Sequence, residues 1–169
     1  MTTRLYLIRH GETAHSAGDR FSGASDVDLA DEGRRQASCL AQRLAGERIT
    51  AFYCSPLRRA IETATLVAQP HGLTPTIVAG LREIDYGRWE GVTRDEVLAR
   101  FGNEYAAWGR DPLTSAPLNG ETGLAVLARM LPALRDIVQR HPGQRGRSSW
   151  ARPTSPSGPT TPTPACPTA

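Results

Sequence analysis

The sequence predicts an α/β fold, a three-layer sandwich around a largely parallel central sheet. Three observations predict it. Short apolar runs that suit strands alternate with segments of helical periodicity. Cap, proline and glycine residues stand at the joints between them. The length, 169 residues, suits one domain with a substantial core.

The elements follow in order. Leu5–Ile8 is a continuous apolar run, as expected of a strand buried on both faces in a parallel sheet. A loop rich in Gly, Ser and Asp extends to about Asp28. From Ala30 to Ala45, the apolar residues Ala37, Leu40, Ala41 and Leu44 recur at helical spacing, and Gly46 is the stop signal. Ile49–Cys54 reads as a second strand. Ser55-Pro56 offers a cap and a proline at the first helical position, opening a helix to about Ala68. Thr76–Ala79 is a third strand candidate. After the loop LREIDYGRWEG, a short helix is predicted around Arg94–Phe101. A longer one is predicted over Thr122–Arg140, with Leu124, Leu127, Leu131, Leu134 and Val138 as its apolar face. Pro132 lies inside it and predicts a kink.

Composition excludes several classes of function. The chain has no lysine, and its 20 basic residues are all arginine against 17 acids. The excess of three resides in Arg145, Arg147 and Arg152, so the part up to Pro142 is electroneutral and offers no basic footprint for nucleic acid. No apolar run approaches a membrane span, and no secretory apolar region follows Met1. The reading is a soluble cytoplasmic protein, with neither nucleic acid nor membrane as a partner. Cys39, Cys54 and Cys166 show no metal-ligand spacing; Cys39 and Cys54 sit in apolar patterns and read as buried thiols.

Chemistry concentrates at two places. A residue leaving the carboxyl end of a buried parallel strand points into the crevice where α/β sheets bind ligands, and Arg9-His10-Gly11-Glu12 stands at such an end. The Gly11 carbonyl can hold one imidazole nitrogen protonated, leaving the other free to attack phosphorus. Taken alone, a histidine after a strand is more often structural than catalytic. The stretch SPLRRAIETA places Arg58 and Arg59 after the next strand, in a first helical turn suited to anions.

Together, RHGET after an apolar strand, FSG at Phe21–Gly23, SPLRRAIET and LREIDYGRWEG, in that order, resemble the histidine phosphatase superfamily. That group includes cofactor-dependent phosphoglycerate mutases and many small phosphatases. The resemblance implies roles by position. His10 matches the nucleophile that becomes phosphohistidine, and Arg9 the arginine beside it. Arg59, directly before the alanine, matches the phosphate ligand, and Arg58 its exposed neighbour. Ser22 and Gly23 match the loop that touches substrate, and Glu83 the proton donor to the leaving oxygen. No metal and no cofactor is implied, since arginine and histidine supply the charge stabilisation. The W-E-G form at Trp89–Gly91 resembles the phosphatases more than the glycolytic mutases. Phosphomonoester hydrolysis is therefore the expectation and mutase activity its nearest alternative.

The family's second catalytic histidine, late in the chain after another buried strand, has no match among His15, His71 and His141. The expected fold is accordingly a domain over 1–142 that lacks its C-terminal strand and helices, with residues 143–169 a disordered Pro/Thr-rich tail. The last 26 residues hold six prolines and no Leu, Ile, Val, Phe or Met. Read one base later, codons for Arg145–Arg152 can spell Val-Val-Val-Val-Ala-Gly-His-Asp, so a shifted frame near Gln144 is one expectation and a genuine linker the other. A third reading of function follows: a remnant that binds phosphorylated ligands without turnover.

Overall fold

The computed structural model describes residues 3–142. The tail expected over 143–169 lies outside the described residues.

The fold is α/β. Its helices are α1 (Ala14–Ala17), α2 (Asp31–Leu44), α3 (Arg58–Ala68), α4 (Arg94–Arg110) and α5 (Gly123–Arg140). Strands β1 (Tyr53–Cys54) and β2 (Thr76–Ile77) pair in parallel, Tyr53 opposite Thr76 and Cys54 opposite Ile77, with α3 as the crossover between them. Phe52 and Val67 with Leu44 and Ala68 form the core between α2, α3 and β1, and Leu40, Ile49 and Leu73 close over it. Burying side chains of this size contributes about 1.5–3 kcal/mol each. Cys54 is a buried free thiol. Cys39 is half-buried on α2.

A second packing centre is aromatic. Trp89 is wholly buried, 5.2 Å from Phe21, 5.7 Å from Tyr105 and 5.7 Å from Trp108 by ring centroids. It anchors the loop after β2 to α4, with the edge and tilted geometries that aromatic quadrupoles favour.

Several elements depart from the sequence expectation. Leu5–Ile8 has no regular secondary structure and joins no ladder among the described residues, and Leu7 is 87% exposed. An apolar run predicts burial, yet burial requires elements packed over its faces, and among the described residues Leu5, Tyr6, Leu7 and Ile8 all remain exposed. The apolar face of α5 is likewise open: Leu124, Leu127, Leu131 and Val138 are exposed, and Ile137 is the buried residue. Helix α5 packs instead on the turn Ala79–Leu81, and its dihedrals run through Pro132 as one element. Helix α4 extends nine residues past the predicted Phe101, across non-helical dihedrals at that residue (φ −135°, ψ 33°). The Arg88 guanidinium lies 4.1 Å from the Phe101 ring centroid and also pairs with Glu104, tying the second half of α4 to the loop.

Candidate active site

His10 follows the Leu5–Ile8 segment, and the turn after it is held by α2 and α3. Gly11 crosses the first turn of α2 so closely that a Cβ there would lie 2.3 Å from the Gly33 carbonyl oxygen. A Cβ on Gly33 would in turn lie 2.1 Å from the Glu12 oxygen, so both positions require glycine. The Ala30 amide donates to the Glu12 carbonyl (2.9 Å), and the Gly11 amide donates to Thr63 Oγ1 (3.3 Å). Thr63 Oγ1 donates in turn to the Arg59 carbonyl one helical turn earlier (2.7 Å). Helix α3 therefore carries Arg59 and, on the same face, the hydroxyl that seats the Gly11 turn.

The imidazole is oriented by its own backbone. His10 Nδ1 lies 2.8 Å from the Gly11 carbonyl oxygen, an arrangement that keeps Nδ1 protonated and leaves Nε2 with its lone pair. Burial lowers the His10 pKa below the ordinary imidazole value. The Gly11 carbonyl opposes this, the charges of Arg59 and Arg9 reinforce it, and Glu83 opposes it. Arg9, Arg59 and Glu83 thus all act electrostatically on the ring.

The two arginines of SPLRRA separate cleanly. Arg59 is 1% exposed; its Nη1 donates to the Ser25 carbonyl (2.6 Å) and its Nη2 to the Gly23 carbonyl (2.7 Å). Arg58 is exposed and bound to Asp26 and Asp28. Its amide, at the start of α3, donates to Asp26 Oδ1 (2.7 Å), so this carboxylate rather than Ser55 caps the helix. Ser22 Oγ is buried without a hydrogen-bond partner among the described residues. Gly23 is buried; its amide faces Glu90, and a Cβ there would meet the Ile84 oxygen at 1.7 Å. Arg9 and Glu83 are exposed, and Glu83 Oε1 accepts from the Ile84 amide (2.9 Å). Arg129 on α5 steadies that loop, donating to the carbonyls of Gly80, Arg82 and Glu83 and pairing with Glu121 (2.7 Å).

Sequence reasoning missed Glu90, Thr63 and Arg129. Glu90 is the most heavily hydrogen-bonded acid of the site, holding the 22–25 loop against Tyr86. Thr63 lies inside the SPLRRAIETA stretch, four residues after Arg59, and that spacing was the available signal. His15 lies on α1, His71 in the turn 69–71, and His141 Nε2 lies 2.9 Å from the Tyr53 hydroxyl. Among the described residues no three acidic, histidine or cysteine side chains cluster as metal ligands, and no helix is long and apolar enough to cross a membrane.

A sequence profile described as the histidine phosphatase superfamily (branch 1) matches residues 5–147. The glucosyl-3-phosphoglycerate phosphatase of Mycolicibacterium vanbaalenii is 39% identical over 135 residues, covering 80% of this chain and 60% of that protein. Phosphoserine phosphatase 1 of Hydrogenobacter thermophilus is 32% identical over 138 residues, covering 82% and 65%. The structure of a mycobacterial glucosyl-3-phosphoglycerate phosphatase in complex with VO3 superposes with a TM-score of 0.74 at 33% identity, covering 79% of this chain and 63% of that one. The chain thus spans less than two thirds of the length of each of these relatives.

Proposed function

The chain belongs to the histidine phosphatase superfamily, and from that footing we propose that it hydrolyses small phosphomonoesters through a phosphohistidine on His10. The observation that carries this reading is the His10 ring itself. Its Nδ1 is engaged by the Gly11 carbonyl, its pKa is lowered by burial with Arg59 and Arg9 nearby, and its Nε2 is left as a neutral nucleophile.

In the first step Nε2 forms a bond to phosphorus while the phosphorus–oxygen bond to the alcohol breaks. Glu83, as the carboxylic acid, gives its proton to the departing oxygen. Arg59 and Arg9 face the charge spread over the phosphoryl oxygens. Arg59 is suited to this because two loop carbonyls already fix its plane, leaving its other donors for the ligand. In the second step water attacks the phosphohistidine, the Glu83 carboxylate takes the water's proton, and phosphate and free His10 are restored. Ser22, whose hydroxyl is buried and unpartnered among the described residues, supplies a donor at the loop that faces this reaction, and Gly23 builds that loop. Hydrolysis is favoured over a mutase by the phosphatase names of the relatives described above. Electroneutrality up to Pro142 supports a small-molecule substrate rather than nucleic acid. No metal or cofactor takes part in this scheme. Residues 1–142 are taken as an incomplete histidine phosphatase-like domain that carries this chemistry.

The test is trapping. Incubation with a 32P-labelled phosphomonoester and rapid quench in base should leave label that acid removes, as a phosphohistidine requires and a serine ester does not. His10→Ala should carry none. No label on the unaltered chain, or equal label on His10→Ala, overturns the reading in favour of a ligand-binding remnant.

A further inference from the structure

One carboxylate organises the loop that holds Arg59. Glu90 accepts from the Gly23 amide (3.0 and 3.1 Å to its two oxygens), the Ala24 amide (2.9 Å), the Ser25 amide (3.2 Å), the Ser25 hydroxyl (2.5 Å) and the Tyr86 amide (3.0 Å). On the other side of the same loop, Arg59 donates to the carbonyls of Gly23 and Ser25, with Ser22 at 3.5 Å.

The two sets of bonds share peptide units. A trans peptide is planar and points its N–H and C=O in opposite directions. The unit joining Gly23 and Ala24 gives its N–H to Glu90 and its C=O to Arg59. The unit joining Ser22 and Gly23 does the same at longer range. Two consecutive peptide planes therefore lie between an anion and a cation, and aiming their amides at Glu90 aims their carbonyls at Arg59.

We infer that Glu90 is a positioning residue: through the 22–24 peptide planes it fixes the Arg59 guanidinium beside His10. The inference rests on the reading of this site as a phosphoryl-transfer centre only for what Arg59 is positioned to meet. Two further observations support it. Glu90 keeps its charge, because although burial pushes its pKa up, the bonds from Ser25, Tyr86 and Ala24 together outweigh that and hold it low. Arg59 is pushed down by its burial and pulled back by the charges of Glu83 and Glu90. Only a carboxylate can serve here, since every group around Glu90 is a donor; an amide would bring one acceptor oxygen and two N–H groups into a cage of N–H and O–H.

The experiment is a double-mutant cycle read by binding of inorganic phosphate, together with 15N NMR of the arginine side chains. Glu90→Gln should weaken phosphate binding about 10- to 100-fold, the loss of one or two charge-assisted bonds. In an Arg59→Ala background the same substitution should cost less than threefold, because its target is gone. Arg59 guanidinium N–H signals, protected in the unaltered protein, should broaden or exchange in Glu90→Gln while the Trp89 and Trp108 indole signals persist. If Glu90→Gln melts the fold, Ser25→Ala, which removes one donor, should weaken phosphate about threefold and loosen the same Arg59 signals. Additive losses across the cycle, or unchanged Arg59 signals in both variants, overturn the inference. Absence of phosphate binding by the unaltered chain, with the Arg59 signals responding as described, would remove the phosphoryl-transfer reading and leave the positioning role standing.

Discussion

Gly23→Ala tests whether the site depends on the fit of one loop. Its Cβ would stand 1.7 Å from the Ile84 carbonyl oxygen and 2.9 Å from Glu90 Oε1, where real contacts essentially never fall below 3.0 Å. The backbone oxygen cannot swing away as a side chain would, so the 22–25 loop must move by more than an ångström. That movement acts on the 2.7 Å bond from Arg59 to the Gly23 carbonyl and the 3.0 Å bond from the Gly23 amide to Glu90. Overpacking costs about 1–3 kcal/mol. A displacement of about 1 Å at a group that meets the reacting atoms costs on the order of 100-fold in rate. We expect kcat/KM on a phosphomonoester to fall about 100-fold and the urea midpoint to fall with it. Gly109→Ala is the matched control, because nothing lies within 4 Å of its Cβ position inside α4. It should stabilise the chain by about 0.5–1 kcal/mol and leave kcat/KM unchanged. A kcat/KM for Gly23→Ala within threefold of the unaltered chain would refute the packing of this loop on Ile84.

The pH dependence should follow His10. Its pKa is depressed chiefly by burial, so the neutral ring persists below pH 6.5, and the acid limb of log kcat/KM should fall below that value. Arg9→Gln should move the limb upward and Glu83→Gln downward, since the first lowers and the second raises the His10 pKa. The stability sign agrees: the folded ring binds fewer protons than the unfolded one. Its contribution is complete above pH 6.5 and is lost as pH falls through the folded pKa, which His10→Ala should abolish in urea titrations. Arg129→Ala should destabilise the chain by about 2 kcal/mol in urea unfolding, because it takes the nearest cation from Glu121, which keeps Arg82 and the Asp85 amide, and the Arg129 donors from three loop carbonyls. It should also lower kcat more than it raises KM, as the Glu83 loop loses its support.

Much of this was legible because the decisive signals are local. Helix α2 runs Asp31–Leu44 where periodicity predicted Ala30–Ala45, and α5 begins at Gly123 where Thr122 was predicted. The first reflects apolar spacing and the second the Thr122 cap, signals that lie within a few residues. The short strand β1, in contrast, occupies two residues of a six-residue prediction, since a ladder needs a partner and β2 pairs over only two. The run Leu5–Ile8 and the leucines of α5 show the same limit. Pattern says that a face seeks burial but not what will cover it. Glu90 was illegible for the opposite reason. A glutamate between tryptophan and glycine in a loop reads as a solvated charge, and only the folded chain shows five N–H and O–H groups converging on it from residues 23–25 and 86. Gly102 and Asn103 hid the second half of α4, which tertiary contacts of Phe101, Tyr105 and Trp108 override.

The charge balance at His10 explains why so many arginines yield so few at the site. Arg58 is occupied by Asp26 and Asp28, Arg88 by Glu104, and Arg129 by Glu121 and the loop carbonyls; each holds a loop in place. Of the cations whose charge reaches the imidazole, Arg59 and Arg9 act against its protonation, and Glu83 acts for it. In the scheme proposed above, a phosphomonoester dianion meets two guanidiniums and a neutral ring, and Glu83 enters as the acid. Attack then makes the imidazole cationic, and passing the Glu83 proton to the leaving oxygen creates a carboxylate at the same moment. The carboxylate offsets the new charge on His10, and it is then in the form that accepts a proton from water. One exposed acid can therefore serve both half-reactions without a change of position.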